Sequence, residues 1–107
     1  VLLDSFHMNI EEKHPVAAIR ATGADLVHYH VSDNDRGVPG SGRYDFPADA
    51  AALAEIGYGG WVVAEMFVMA GHPASADVNI WRDIEPDPTQ AARQTLAYLK
   101  EVFGHGV

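Results

Sequence analysis

Three side chains spaced along this sequence could share one cation: Asp4, His30 and Glu65. Each closes a short apolar run, and about one strand–helix repeat separates each from the next. In parallel α/β folds, ligands collect at the carboxyl ends of strands, so residues spaced this way come to one rim of one sheet. Two carboxylates and an imidazole form a mixed oxygen and nitrogen set, which suits Mn²⁺, Mg²⁺, Co²⁺ or Fe²⁺ better than a structural zinc. Taken singly, each has a plainer explanation. Asp4 could cap a helix, His30 could be a hydrogen-bonded core residue, and Glu65 could be a solvated strand end. Their coincidence at three successive strand ends favours the metal site.

Other residues gather round these three. His7, three positions beyond Asp4, is a candidate substrate contact; as a bland alternative it is a loop histidine. His28 points to the same side of its strand as His30 and is expected to be an interior histidine that supports it. His14, His72 and His105 show no partner pattern and are expected at the surface. Arg36 lies in the loop Asp33-Asn34-Asp35-Arg36-Gly37-Val38-Pro39-Gly40-Ser41-Gly42, where it could hold a substrate hydroxyl or carbonyl, or pair with Asp33 or Asp35. That loop lacks the Gly-Lys-Ser/Thr ending of a phosphate-binding loop and does not open a helix in the dinucleotide manner. No Gly-x-Ser-x-Gly elbow supports serine hydrolysis.

The elements that must position these groups can be read from pattern. Val1 to Asp4 reads as a strand entered midway through a larger protein, followed by a polar turn. A helix over Pro15–Thr22 ends at Gly23, a good C-cap. Leu26 to Ser32 alternates like a strand, and Asp33 to Phe46 is a long loop rich in turn residues. A helix over Pro47–Ile56, opened by Asp45 or a neighbour, places Ala50, Leu53, Ala54 and Ile56 on its apolar side. Trp61 to Phe67 is a third strand, apolar on both parities except for Glu65. After an irregular stretch with Pro73, Trp81-Arg82-Asp83, Pro86 and Pro88, Thr89 is expected to cap a last helix reaching Phe103. Ala92, Leu96, Leu99 and Phe103 would form its apolar stripe. Three strand–helix units imply a parallel α/β sheet with right-handed crossovers, and strands apolar on both parities imply cover on both faces. Three units are too few to close an eight-stranded barrel, and they leave two sheet edges bare.

Composition narrows the function classes. The 107 residues carry 7 basic and 15 acidic side chains, a formal net charge of −8, and no cysteine. A disulfide scaffold, a thiolate metal site and a cysteine nucleophile are thereby excluded. The acidic balance weighs against nucleic acid or an anionic membrane as partner. No apolar run reaches the roughly 20 residues of a membrane span, and no charged-then-apolar leader is evident, so a cytoplasmic protein is expected.

Three stretches carry a more specific signal: Leu3-Asp4-Ser5-Phe6-His7-Met8-Asn9-Ile10-Glu11-Glu12, His28-Tyr29-His30-Val31-Ser32 running on through Gly40, and Gly57-Tyr58-Gly59-Gly60-Trp61 leading to Glu65. Together they resemble the D-tagatose 3-epimerase / D-psicose 3-epimerase family, sugar isomerase/epimerase TIM barrels related to xylose isomerase. Trp81-Arg82-Asp83 and the last helix fit as well. The resemblance implies that residues 1–107 form a single partial barrel domain matching strands six to eight of such a (β/α)8 barrel. It implies that Asp4, His30 and Glu65 are three of four metal ligands, for Mn²⁺ above all, with Mg²⁺ or Co²⁺ in some members. It further implies that His7 and Arg36 contact a ketose, and that Glu65 is one of two catalytic glutamates moving a proton at C3 through a cis-enediolate. The second glutamate, also the fourth ligand, would sit on a strand before Val1. Ala64-Glu65-Met66-Phe67 departs from the common Glu-Ser-Phe pattern only in the residues flanking the glutamate. Hydroxypyruvate isomerase, inosose dehydratase and endonuclease IV share the barrel, and the acidic charge weighs against the nuclease. A different reading treats the chain as a non-catalytic partial barrel that self-associates through its bare edges, and in either case a homo-oligomer is expected.

Overall fold

Strand β1 (Leu2–Asp4) passes straight into helix α1 (Ser5–Glu11), in the computed structural model that describes residues 1–104. The polar turn expected after Asp4 is thus a helix. Asp4 nucleates it by accepting the His7 backbone N–H at 3.2 Å, and Ser5 and Met8, three apart, supply its buried side. The element is so short, and its other residues so polar, that periodicity alone could not reveal it.

Helix α2 (Pro15–Thr22) has the expected bounds, with Pro15 in its first turn and Gly23 at φ 53° closing it. Strand β2 (His28–Val31), helix α3 (Phe46–Glu55), strand β3 (Val62–Ala64) and helix α4 (Pro88–Phe103) complete the chain. Both β2 and β3 are shorter than the apolar runs that announced them, because a ladder extends only as far as a partner strand and β1 has three residues. Asp45 caps α3 through the Ala48 N–H at 3.1 Å. The side of α3 that is buried is Phe46, Asp49, Ala52 and Leu53, while Ala54 is exposed. Asp87, not Thr89, caps α4. Its carboxylate accepts the N–H groups of Thr89 and Gln90, and Pro88 takes the first helical position, where no N–H is needed. On α4, Leu99 is buried and Phe103 packs against the core as expected. The first half of the stripe lies one residue earlier: Ala91 and Thr95 are buried, whereas Ala92 is exposed and Leu96 is 49% exposed.

The three strands are parallel in the order β1-β2-β3. The register pairs Leu3 with Tyr29, Asp4 with His30, and His30 with Val63. Side chains alternate across the sheet. Tyr29 and Val31 point into a core shared with Met8, Ile19, Leu26, Phe46, Ala52, Leu53 and Leu99. Leu2, His28, His30 and Val63 lie on the other face and keep partial exposure. Within this chain the helices therefore cover one face of the sheet, where the sequence pattern had implied two. His14 and His72 are exposed, as expected; His105 lies outside the described residues. Among the described residues no helix is long and apolar enough to cross a membrane.

Candidate metal centre

Parallel register does most of the assembly. Asp4 and His30 are direct partners across β1 and β2. Glu65 lies two residues beyond Val63, the partner of His30 on β3, and so shares its face. The Glu65 N–H donates to Val31 O at 3.0 Å, which continues the pairing to the rim. A further clamp joins β1 and β2 where their ladder stops. The Ser5 hydroxyl donates to Ser32 O at 2.7 Å and accepts the Ser32 N–H at 3.0 Å, with both residues buried. Ser5 and Ser32 thus tie the segment after Asp4 to the segment after His30, a link that no sequence pattern announces.

One ligand atom from each of Asp4, His30 and Glu65 falls in a group spanning 4.8 Å. His30 Nδ1 is 3.5 Å from Asp4 Oδ2 and 3.4 Å from Glu65 Oε2. Donors held at roughly 2.1 Å by one Mn²⁺ or Mg²⁺ lie about 3 Å apart in adjacent octahedral positions, so the three need only a small closing movement to share an ion. The donor set also matches such cations, which take carboxylate and imidazole. Asp4 is buried, while the His30 and Glu65 side chains are 20% and 39% exposed, leaving the group open to the rim. Asp4 serves two roles at once: one oxygen caps α1 and the other faces His30.

Arg36 supplies the positive charge in this group. Its guanidinium is buried, with Nη1 3.4 Å from Glu65 Oε2 and 4.0 Å from Asp4 Oδ2. It stacks over Phe6 at 3.9 Å, and Phe67 lies on another side at 5.3 Å. Neither Asp33 nor Asp35 is its ion partner; Asp35 faces Arg82 at 3.6 Å instead. The Arg36 backbone has φ 71°. A side chain in that left-handed region costs about 1–3 kcal/mol and persists only where the surroundings impose it. His7 is exposed, with Nε2 3.4 Å from Arg36 Nη2. His28 does not lie in the interior: it is half-buried and meets the His30 ring edge-on, centroids 4.9 Å apart.

Beside the group opens a cleft of about 480 Å³, lined among others by Phe6, His7, Ile10, Arg36 and Trp81. Trp81 and Ile10 are 81% and 61% exposed, so the cleft combines an apolar wall with donors from His7 and Arg36. Sequence reasoning did not place Ile10 here, because α1 itself was not foreseen, nor did it give Trp81 a role.

Comparison with known proteins accords with this architecture. Residues 1–102 match the family model described as Xylose isomerase-like TIM barrel. The D-psicose 3-epimerase of Ruminiclostridium cellulolyticum is 48% identical over 113 residues, covering 98% of this chain and 39% of that protein. The D-psicose 3-epimerase of Enterocloster bolteae is 38% identical over 109 residues, covering 97% and 36%. A crystal structure of D-psicose 3-epimerase in the presence of D-fructose superposes with a TM-score of 0.92 at 40% identity, over 98% of this chain and 38% of that one. The chain thus spans little more than a third of the length of the relatives it matches. With its parallel sheet, its helices and the Asp4, His30 and Glu65 side chains gathered at one rim, it belongs to the xylose isomerase-like TIM barrel family.

Proposed function

We propose that this chain provides the metal-binding rim of a ketose 3-epimerase, as one partial barrel domain over residues 1–107 acting in the cytoplasm. The observation that carries the reading is the Asp4–His30–Glu65 group beside a cleft bearing His7 and Arg36. Relatives named as D-psicose and L-ribulose 3-epimerases support ketose epimerisation over the hydroxypyruvate isomerase and inosose dehydratase alternatives. Asp4, His30 and Glu65 would hold a divalent cation, Mn²⁺ foremost and Mg²⁺ or Co²⁺ as alternatives. When bound, such a cation supplies Lewis acidity, worth several kcal/mol to charge developing on a sugar oxygen.

The chain's own residues do the rest. Glu65 is the general base and acid at C3, its carboxylate open to the rim and steadied by Arg36 at 3.4 Å. Arg36 and His7 donate to sugar oxygens and fix the ketose against the wall of Trp81 and Ile10. A base that takes a proton from one face of a carbon and returns it to the same face leaves the configuration unchanged. Inversion at C3 therefore needs a second acid–base group opposite Glu65. The other carboxylate of the metal group, Asp4, is engaged in capping α1 and facing His30, and among the described residues no further carboxylate joins them.

Calorimetric titration with Mn²⁺ tests the site. His30→Ala and Glu65→Ala should each weaken binding at least tenfold, and equal affinity in wild type and variants would overturn the reading. Epimerisation of D-fructose or D-tagatose tests the chemistry.

A second reading rests on the outer edges of β1 and β3, which pair with nothing among the described residues, and on exposed Leu2 and Trp61 near them. Open strands pair readily with another chain, so the protein would associate with copies of itself. Light scattering should then report an oligomer, and a well-folded monomer would contradict it.

A further inference from the structure

Asp33 is fully buried, carries a carboxylate, and has no place in the metal group. A charge taken out of water is tolerable only when hydrogen bonds replace its hydration, and here four backbone N–H groups do so. Asp33 Oδ1 accepts from Asn34 at 2.8 Å and Tyr44 at 3.2 Å; Oδ2 accepts from Gly40 at 2.8 Å and Gly42 at 3.0 Å. The main chain of the same residue closes the turn that contains Arg36. The Arg36 N–H donates to Asp33 O at 3.0 Å, and the Asp33 N–H donates to Gly37 O at 3.0 Å. Arg36 is the residue in this turn with a left-handed backbone, and its Nε is buried without a hydrogen-bond partner. A guanidinium with an unsatisfied N–H would gain by swinging toward water. It stays because its backbone and the Phe6 ring hold it.

We propose that Asp33 is a positioning residue, whose carboxylate cinches residues 33–44 into a closed loop and thereby holds Arg36 turned inward toward Glu65 and Asp4. The loop is built around that carboxylate. A Cβ at Gly42 would stand 2.3 Å from Asp33 Oδ1, so only glycine leaves the carboxylate room. The inference deepens the proposed function, resting on Arg36 as the sugar-facing cation, but its primary test does not need that reading.

The test is solvent exchange of the Arg36 Nε–H, followed by ¹H–¹⁵N NMR on the whole chain. Wild type should show a slowly exchanging Arg36 Nε–H. Asp33→Asn and Gly42→Ala should each accelerate exchange at least tenfold while the Tyr29 and Val31 amides keep their protection. Fast exchange in wild type overturns the proposal, as does unchanged exchange in folded variants. Should Gly42→Ala fail to fold, the isosteric Asp33→Asn carries the comparison alone. D-fructose binding in the presence of Mn²⁺ is measured alongside, with Arg36→Ala as reference. If Arg36→Ala binds the sugar as wild type does, the sugar-facing role of Arg36 fails, while the exchange data still decide the role of Asp33.

Discussion

Tyr29 and His30 are neighbours on β2, yet they point into opposite worlds. Tyr29 faces the helices, where its hydroxyl and that of Tyr44 both donate to Asp49, the latter at 2.7 Å. Asp49 is 1% exposed and Tyr29 fully buried. Burial, helped by the charge of Asp49, pushes the Tyr29 and Tyr44 phenols up, and burial also raises the Asp49 carboxyl against the pull of the two hydroxyls. His30 faces the rim, where carboxylates, imidazole and guanidinium crowd together and remain open to solvent. The buried polar atoms that lack a partner, among the described residues, are Ser32 Oγ and Arg36 Nε, both beside the rim. One polar cluster is closed and satisfied, which is how a fold uses polarity for structure. The other keeps its donors unspent, which is how a site uses it for a ligand.

The sharpest way to break this contrast is Asp49→Ala. It strips the acceptor from two buried hydroxyls, each worth about 1–3 kcal/mol when left unpaired, so a loss near 3–5 kcal/mol is expected in urea unfolding. Mn²⁺ affinity of the folded protein should stay within about twofold of wild type, since the change lies on the far face of the sheet.

Alkaline pH probes the same closed cluster. The folded phenols hold their protons beyond their ordinary value of 10.0, so the unfolded chain releases protons first. Stability present below pH 10 should then fall as pH rises, by about 1.4 kcal/mol per pH unit for each tyrosine. Thermal unfolding from pH 8 to 11.5 measures this, and Tyr29→Phe should flatten the slope. The raised Asp49 carboxyl has the same sign lower down: its contribution is complete below its ordinary value of 3.8 and fades as pH climbs through its folded value.

A smaller effect belongs to the rim. Ser5→Ala removes the clamp to Ser32, with an expected cost of about 1–2 kcal/mol. Mn²⁺ binding should weaken by a few fold, because Asp4 and His30 lose their tie. Smallest is Arg20→Ala on the surface. Its ion pair with Glu55 is 2.7 Å long, but both side chains are 56% exposed, so water and salt leave it about 0–1 kcal/mol. A large loss there would mean that exposed charge, not the buried cluster, stabilises this fold.

That Asp4, His30 and Glu65 meet at one rim was legible because strand–helix spacing places successive strand ends side by side. The three strands, the bounds of α2 and the caps at Gly23 and Asp45 were legible for local reasons: turn chemistry and short-range periodicity. Helix α1 was not, since a seven-residue element draws its stability from Asp4 and from the packing of Met8 rather than from its own pattern. The first half of the buried stripe of α4 was also hidden, although Leu99 and Phe103 were placed correctly. Ala91 and Thr95 are no more apolar than their neighbours, and only contact with the core selects them.

What the sequence determined by itself, then, was the parallel strand–helix order and the placing of Asp4, His30 and Glu65 at three successive strand ends. Only the tertiary structure decided that Arg36 turns inward to Glu65, that Asp33 gathers four N–H groups, and that Tyr29 and Asp49 share a closed network. The reason is physical. Arg36 and Glu65, like Tyr29 and Asp49, are far apart in the chain, and the Asp33 contacts form only once its loop has closed. The strength of all of them comes from exclusion of water, which no local stretch of sequence can express.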